Sequence, residues 1–223
     1  DYLRTRAYPI MKELCEFWQD YLVEGADGKL LSRKSQSPEH GPWAQGNSYD
    51  QQLAWDVFTN TSEAAQALGV DTEFRQTVTE MKARLLGPEV GKWGQLQEWA
   101  ADIDDPNDKH RHLSHLIAVY PGRQISLQKT PALAQAAAVS LNARGDGAAG
   151  WSISWKAALW ARLGDGNRAY RILKTKTRLH RDGVFPNLLS GVWDVFQIEA
   201  HFGYCAAACE MMVQSHLGEV HLL

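Results

Sequence analysis

A helical hairpin pattern that occurs twice is the strongest constraint that this sequence places on its fold. Apolar residues recur every three or four positions on both sides of two short turns, Leu68-Gly69-Val70-Asp71 and Leu163-Gly164-Asp165-Gly166. Because one hairpin cannot bury its apolar stripe alone, neighbouring hairpins must stack on each other. The pattern therefore predicts an all-α chain, either a solenoid or a closed toroid of paired helices.

The same spacing predicts about eight helices and no convincing strand. They are expected at residues 2–23, 49–68, 71–85, 130–143, 151–163, 166–174 and 203–215, with one more after the histidines at 110–115. Asp71 is expected to cap the third helix with its side chain. The connecting segments, at 31–48, 87–111, 144–151 and 180–202, are rich in Trp, His, Asp, Glu and Gly. Long polar loops on a helical scaffold are where chemistry is normally placed.

The composition excludes several classes of partner. A chain of 223 residues with 44% hydrophobic content can bury the core of a single domain. The net charge of −3 comes from mixed signs without a basic stripe, so no nucleic acid partner is expected. No apolar run approaches the roughly 20 residues that cross a bilayer, and the start of the chain does not resemble a signal peptide. No membrane partner is therefore expected.

Cysteine and tryptophan usage bears on the kind of site. Three cysteines, two of them in a small-residue helical run, argue against a disulfide framework and favour core positions. Five of the nine tryptophans lie in segments rich in Gly, Pro and Asp: Trp43, Trp93, Trp99, Trp151 and Trp193. Sugar sites need flat apolar faces beside polar groups, so this distribution favours a binding cleft, with simple packing under the loops as the alternative.

Glu98 is the candidate acid. Its position next to Trp99, with Trp93 nearby in sequence, predicts a shielded carboxyl whose pKa is raised toward the value of a general acid. The acidic residues that follow, Asp102, Asp104 and Asp105, are expected to stay solvated and ionised. They could also form a calcium loop, but Pro106 interrupts the run and the glycine of an EF-hand is missing.

Two histidine-containing segments offer further polar groups. The run HRHLSHL at 110–116 lacks the His-Glu-x-x-His spacing of a zinc site and has no cysteine nearby, so no metal site is predicted there. In the alternative, Arg111 and His112 donate hydrogen bonds to ligand hydroxyl groups, and His115 supports them one helical turn further on. Glu39 and His40 stand in a loop beside Trp43, where a simple turn is the alternative interpretation.

A second carboxylate, Glu199, precedes the last predicted helix together with His201. Hydrolysis of a glycosidic bond needs one group that protonates the leaving oxygen and one that activates water on the other side. Glu98 and Glu199 are the predicted pair. The glycine-rich RGDG at 144–147 lacks the Lys-Ser/Thr ending of a phosphate loop, so no nucleotide cofactor is expected, and Trp151 after it is a candidate sugar platform.

The motifs together resemble glycoside hydrolase family 95, which contains inverting α-L-fucosidases and members that act on related α-L-galactosides. The resemblance covers essentially all 223 residues. It rests on GKWGQLQEW (91–99), DP (105–106), HRHLSHL (110–116) and YPG (120–122), and also on SPE (37–39), RGDG (144–147), GWS (150–152), ARLGDG (161–166), FPNL (185–188) and GEVHLL (218–223).

The resemblance implies an (α/α)6 toroid, with residues 1–223 as part of one catalytic domain whose missing helices precede Asp1. It places Glu98 at the general acid position, and Glu199 where the family has an aspartate thought to help an asparagine pair polarise the attacking water. The expected partner is an oligosaccharide or polysaccharide glycan, without a cofactor or metal. The predicted sugar-contacting residues are Glu39, Trp43, Arg111, His112, Trp151 and His201.

Two departures from the family pattern keep alternatives open. The family's water-activating Asn-x-Asn motif does not occur in the 223 residues, and Glu199-Ala200-His201 replaces the usual Asp-Gly-Asn. A misplacement of about 1 Å in a catalytic group can lower a rate roughly a hundredfold. The alternatives are a catalytically silent carbohydrate-binding protein, and a lyase or another hydrolase on the same toroid.

Overall fold

In a computed structural model that describes residues 1–148, 150–177, 189, 191–192 and 195–222, the chain is mostly helical. A π-helical turn at Leu3–Ala7 precedes the first α-helix, and a 3-10 turn lies at Ser114–Leu116. The α-helices of these residues are α1 (Tyr8–Tyr21), α2 (Ser48–Leu68), α3 (Thr72–Arg84), α4 (Pro131–Arg144), α5 (Gly150–Arg162), α6 (Gly166–Lys176) and α7 (Ile198–Met212). The motif FPNL (185–188) and Trp193 lie outside the described residues.

The prediction of a full helix after the histidines is wrong, because this segment forms only the 3-10 turn at Ser114–Leu116 followed by further turns. The proposed support of His112 by His115 along one helix face therefore has no basis. His115 is buried, whereas His112 lies in the loop before the turn.

The sequence has no convincing strand alternation, yet short strands are present beside the helices. Four antiparallel pairs occur in the described residues: β1 (Val23–Glu24) with β2 (Leu30–Leu31), β3 (Ser35–Gln36) with β4 (Trp43–Ala44), β5 (Gly191–Val192) with β6 (Val195–Phe196), and β7 (Val213–His216) with β8 (Glu219–Leu222). Most are two residues long, so they carry no alternating pattern that a sequence could reveal.

Local signals explain where several helices begin and end. The Asn47 side chain accepts a hydrogen bond from the Asp50 amide at the start of α2, and Asp165 does the same for Arg168 at the start of α6. Gly69, with φ of 66°, ends α2 in the left-handed conformation that glycine adopts at low cost. Both hairpins predicted from the sequence, α2 with α3 and α5 with α6, are present.

Asp71 does not cap α3 with its side chain, contrary to prediction, because that carboxylate has other partners. It accepts hydrogen bonds from the Tyr8 hydroxyl at 2.9 Å and from Lys12 Nζ at 2.7 Å. The bond from Lys12 is the main cause of a lowered pKa for Asp71. Burial, aided by Asp71, raises the pKa of Tyr8 to about 12.

The chain divides into two compact units, so the single domain expected from the sequence stays a prediction. Unit 1 comprises Asp1–Glu89 and Gln97–Asp104, and unit 2 comprises Val90–Leu96 and Asp105–Leu223. In unit 1, α2 packs against both α1 and α3. The core between them is formed by Cys15, Trp18, Leu22, Leu30, Ala54, Phe58, Val78 and Leu85.

Unit 2 is built around α5, which packs against both α6 and α7. Nearly every residue of α5 is buried, as is typical of a central helix. The close approach of α5 to α7 depends on small residues. A Cβ atom at Gly203 would lie 2.9 Å from Ser154 Cβ, and Ser154 Oγ donates to the Ala200 carbonyl at 3.1 Å.

The last helix differs from its prediction at both ends. It begins at Ile198 instead of Gly203, so Glu199 and His201 lie inside its first turns, and it ends at Met212 where β7 starts. Cys205 and Cys209 are exposed and unlinked, which contradicts their predicted core positions, whereas Cys15 is buried. Among the described residues, no helix has the length and apolar character that crossing a membrane requires.

Candidate active site

The Glu98 carboxyl is completely buried in unit 1, with an exposed fraction of 0%. Ser37 Oγ donates a hydrogen bond of 2.5 Å to its Oε1 atom. His40 Nδ1 lies 3.9 Å from the same oxygen, close enough for electrostatic attraction when the imidazole is protonated. Two groups from one loop therefore act on a single oxygen of this carboxyl.

The backbone of Glu98 is also fixed on both sides. The Ser48 amide, at the start of α2, donates to the Glu98 carbonyl at 3.0 Å. The Glu98 amide donates to Asp104 Oδ1 at 3.1 Å. Asp104 is only 8% exposed, so the prediction that it is solvated is wrong. Its buried carboxylate accepts this backbone hydrogen bond.

Trp99 supplies the apolar neighbour predicted for Glu98, and it is itself buried. The loop that carries Ser37 passes over its ring at Gly41, where a Cβ atom would lie 2.2 Å from Cζ2 of the indole. Gly41 has a φ of 74°, and its carbonyl accepts a hydrogen bond from Gln36 Nε2. Glycine satisfies both the contact and the left-handed backbone at this position.

Glu39 lies in the connection between β3 and β4, Trp43 is the first residue of β4, and both are exposed. Trp43 has 63% of its surface free, so an indole face is available to a ligand. The predicted residues Glu39, Trp43 and Glu98 thus all belong to unit 1, and of these three only Glu98 is buried.

Unit 2 holds the other group of predicted residues. Arg111 and His112 are half-buried in a loop in which the carbonyls of residues 110–112 accept hydrogen bonds from side chains. Arg144, the last residue of α4, donates from Nη1 to the carbonyls of His110 at 3.3 Å and His112 at 2.8 Å. Ser152 Oγ donates to the carbonyl of Arg111 at 2.5 Å.

Aromatic contacts set the orientation of the His112 ring. It stacks on His110 with a centroid distance of 5.0 Å and an interplanar angle of 18°. Its edge meets Trp151 at 4.7 Å and 71°. Trp151 in turn lies 6.1 Å from Trp155, one turn further along α5. The predicted contacts His112 and Trp151 are therefore neighbours.

A cavity of about 400 Å³ opens beside these aromatics within unit 2. Its large side chains are Tyr120, Trp151, Trp155 and Phe202, and Glu199 is its carboxylate. Trp155 Nε1 donates to the Tyr120 carbonyl at 2.9 Å, which ties two of the aromatics together. An apolar cavity with few polar groups is typical of a small-molecule site.

His201 is half-buried beside Phe196, with a ring distance of 6.0 Å, and it does not line this cavity. The facing arrangement of Glu98 and Glu199 stays a prediction, because these residues belong to different units.

Several side chains of the site were missed by the sequence analysis. Ser37 and Asp104 belong to segments named above, but no contact with Glu98 is predicted for them, and no bond to residues 110–112 is predicted for Arg144. Tyr120 and Trp155 were not singled out as cavity residues. The motifs containing Ser37, Tyr120 and Arg144 are the sequence signals for these residues, because the contacts of Ser37, Arg144 and Trp155 join parts of the chain 32 or more positions apart.

Comparison with known proteins identifies consistent relatives. The sequence model of the glycosyl hydrolase family 95 catalytic domain matches residues 1–212. The chain is 34% identical to alpha-L-fucosidase 2 of Arabidopsis thaliana over 242 aligned residues, which cover 100% of this chain and 28% of that protein. It is also 34% identical to a probable alpha-fucosidase A of Aspergillus niger, covering 95% of this chain and 28% of that protein.

A solved structure also resembles this chain. It is a proposed kojibiose phosphorylase from the human microbiome, with a TM-score of 0.60 and 13% identity, covering 99% of this chain and 35% of that one. At this identity the likeness concerns the fold alone. The chain spans little more than a quarter of the length of the two fucosidase relatives named above.

Proposed function

Because this chain belongs to glycosyl hydrolase family 95, we propose that the protein containing it hydrolyses terminal α-L-fucosyl linkages in glycans. Related α-L-galactosyl linkages have the same ring stereochemistry and are the next substrates to test. The curated relatives bear the name fucosidase, which supports this choice of sugar. In this proposal the reaction inverts the anomeric carbon and Glu98 acts as the general acid.

The observation that carries the proposal is the complete burial of Glu98 beside Trp99. Loss of water around a carboxyl favours its neutral form, and a neutral carboxyl can protonate the leaving oxygen of a glycoside. The hydroxyl of Ser37 holds Oε1 in place with a hydrogen bond of 2.5 Å. Such fixed geometry favours proton transfer along one direction.

The remaining predicted residues have roles that follow from their chemistry. Arg111, His112 and His201 would donate hydrogen bonds to sugar hydroxyls, and Glu39 would accept them. Trp43 and Trp151 would provide flat faces for sugar rings. Glu199 would take part in activating the attacking water.

The proposed fold for the complete catalytic domain is an (α/α)6 toroid. The α2–α3 and α5–α6 hairpins support this proposal, as does the fold likeness to the phosphorylase structure. A closed ring of six hairpins contains twelve helices, so further helices would come from parts of the protein beyond residues 1–223.

The direct test is Glu98→Gln in the complete protein, assayed with two substrates. On a fucosylated oligosaccharide we expect activity to fall roughly 10²- to 10⁴-fold, because an alcohol leaving group needs protonation and general acid catalysis contributes about that much to the rate. On α-L-fucosyl fluoride, whose leaving group needs little proton assistance, we expect a much smaller loss. Fucose release is measured by chromatography.

The matched control is Glu73→Gln, which neutralises an exposed glutamate in the first turn of α3 and should leave both activities unchanged. Equal losses of Glu98→Gln on the two substrates would exclude the acid role. Proton NMR of the first product formed decides the stereochemistry, since an inverting enzyme releases the β-anomer of fucose.

A catalytically silent carbohydrate-binding protein is the second candidate. The observation in its favour is the sequence Glu199-Ala200-His201, which replaces the family's Asp-Gly-Asn. Calorimetry would then detect fucose binding by the wild-type protein without release of fucose from any oligosaccharide. Turnover by the wild-type protein excludes this candidate.

A further inference from the structure

The three backbone carbonyls of residues 110–112, the segment that carries Arg111 and His112, accept hydrogen bonds from side chains of two helices. The carbonyls of His110 and His112 accept from Arg144, and that of Arg111 accepts from Ser152. A peptide carbonyl bound by a side-chain donor cannot rotate freely, so the backbone torsions beside it, and with them the Cα–Cβ directions of the adjacent residues, are restrained.

Arg144 also controls the beginning of this segment. Its guanidinium, only 7% exposed, forms an ion pair with Asp108 at 3.1 Å. The other carboxylate oxygen of Asp108 accepts from the His110 amide at 2.7 Å. The residue before His110, Lys109, donates from its ammonium group to the Ala143 carbonyl in the last turn of α4. The C-terminal end of α4 is therefore bonded to residues 108–112 at several points.

Ser152 connects the same segment to α5. It is fully buried and follows Trp151, whose ring meets the edge of the His112 imidazole. Ser152 holds the backbone of Arg111, and Trp151 contacts the ring of His112. One turn of α5 therefore restrains both the backbone and the imidazole of this segment. A change in the position of α5 would move both contacts together.

We propose that Arg144 and Ser152 are positioning residues that set the geometry of Arg111 and His112 for sugar binding. This inference rests on the proposed function, because it assumes that Arg111 and His112 contact the sugar. Neither Arg144 nor Ser152 needs to touch the substrate. Their effect passes through the backbone of residues 110–112.

The first test compares Arg144→Lys, Arg144→Met and Ser152→Ala in the complete protein with a fucosylated oligosaccharide. A displacement of about 1 Å in binding groups lowers kcat/KM roughly 10- to 100-fold. We expect this loss for Arg144→Met and a partial recovery for Arg144→Lys, which keeps the charge that pairs with Asp108. Ser152→Ala, a smaller change that leaves no charge unpaired, should lower kcat/KM several-fold, mainly by raising KM.

The matched controls are Arg168→Lys and Ser126→Ala. Arg168 pairs with Asp146 at 2.7 Å, and the Ser126 hydroxyl accepts from the Lys129 amide at 3.0 Å, so each loses comparable bonds elsewhere in unit 2. Both should keep their kcat/KM. Melting temperatures for all variants separate a general loss of stability from a specific loss of activity. Equal losses in variants and controls would overturn the proposal.

A second readout does not depend on the enzyme being active. In nitrogen-15 NMR spectra of the histidine rings, Arg144→Lys and Ser152→Ala should shift the signals of His110 and His112, whereas His221 should stay in place. The controls should shift none of the three. If the wild type releases no fucose, the proposed function fails, and the ring signals still decide the positioning role. Unchanged signals of His110 and His112 would refute it.

Discussion

At the scale of single residues, Lys156 places a charged side chain in the interior of unit 2. It is buried in α5, and its ammonium group donates to the carbonyls of Gly145 at 2.7 Å and Gly147 at 2.8 Å. Burial lowers its pKa to about 8. These bonds hold the glycine-rich connection after α4, which sequence analysis could describe only as lacking a phosphate-binding pattern.

We expect Lys156→Met to lower the free energy of unfolding by about 1–3 kcal/mol at neutral pH, because two carbonyls lose their donor. The difference between wild type and variant should then grow as pH rises from 8 to 10.5. In that window the unfolded chain keeps a proton that the folded chain has lost, so the wild type gains stability with pH.

Urea denaturation of both proteins at the two ends of this pH range measures the effect, and other titrating groups cancel in the difference. Below pH 8 the lysine is protonated in both states and the difference should be constant. A difference that shrinks between pH 8 and 10.5 would contradict the lowered pKa.

For the candidate acid Glu98, the sequence predicts the burial of the side chain but not its hydrogen-bond partners. The burial of Glu98 followed from its neighbour Trp99, because adjacent residues share their surroundings. Its contact with Ser37 crosses 61 positions of the chain and leaves no local pattern. The acidic run around Asp104 predicts a solvated carboxylate, whereas the structure buries it and gives it the Glu98 amide as a hydrogen-bond donor.

At the scale of elements, helix positions were predictable where the ends carry their own signals. The structure places α2 at Ser48–Leu68 and α4 at Pro131–Arg144, within about one residue of prediction, since Gly69 and Pro131 mark these limits. The start of α7 was missed because Gly203 suggested a break. Gly203 instead lies inside the helix, where contact with α5 requires a residue without a side chain.

We therefore expect Gly203→Val to lower the free energy of unfolding by about 1–3 kcal/mol, as is typical of overpacking. The added atoms would push α7 away from Ser154. Gly166→Ala is the control, because a Cβ atom at this first position of α6 meets nothing within 4 Å. Thermal unfolding followed by circular dichroism compares the two. A Gly203→Val protein as stable as the wild type would show that α5 and α7 can separate freely.

At the scale of the whole molecule, two apolar stripes face solvent. On α1 the stripe consists of Ile10, Leu14 and Phe17, and on α7 it consists of Ile198, Phe202, Cys205, Cys209 and Met212. Spacings of three and four residues place each set on one helix face. Exposed apolar faces of this kind normally contact another surface. The proposed toroid accounts for these faces, because its further helices would pack against them.

We expect residues 1–223 produced alone to bind a hydrophobic dye and to associate into oligomers in sedimentation experiments. Replacing Phe17 and Phe202 by serine should reduce both signals, because each is a large exposed member of its stripe. Leu127→Ser serves as control, since this exposed leucine lies outside the two stripes. A monomer that binds no dye would contradict this expectation.

The way in which Glu98 is held has a consequence for interpreting heat-inactivation experiments. Its partners come from three separate stretches of unit 1: the loop with Ser37 and His40, the start of α2 at Ser48, and Asp104. None of these contacts survives if the stretches drift apart, even when the individual helices persist. The half-life of activity on warming would therefore measure how long unit 1 keeps its tertiary packing, and helical circular dichroism would decay later.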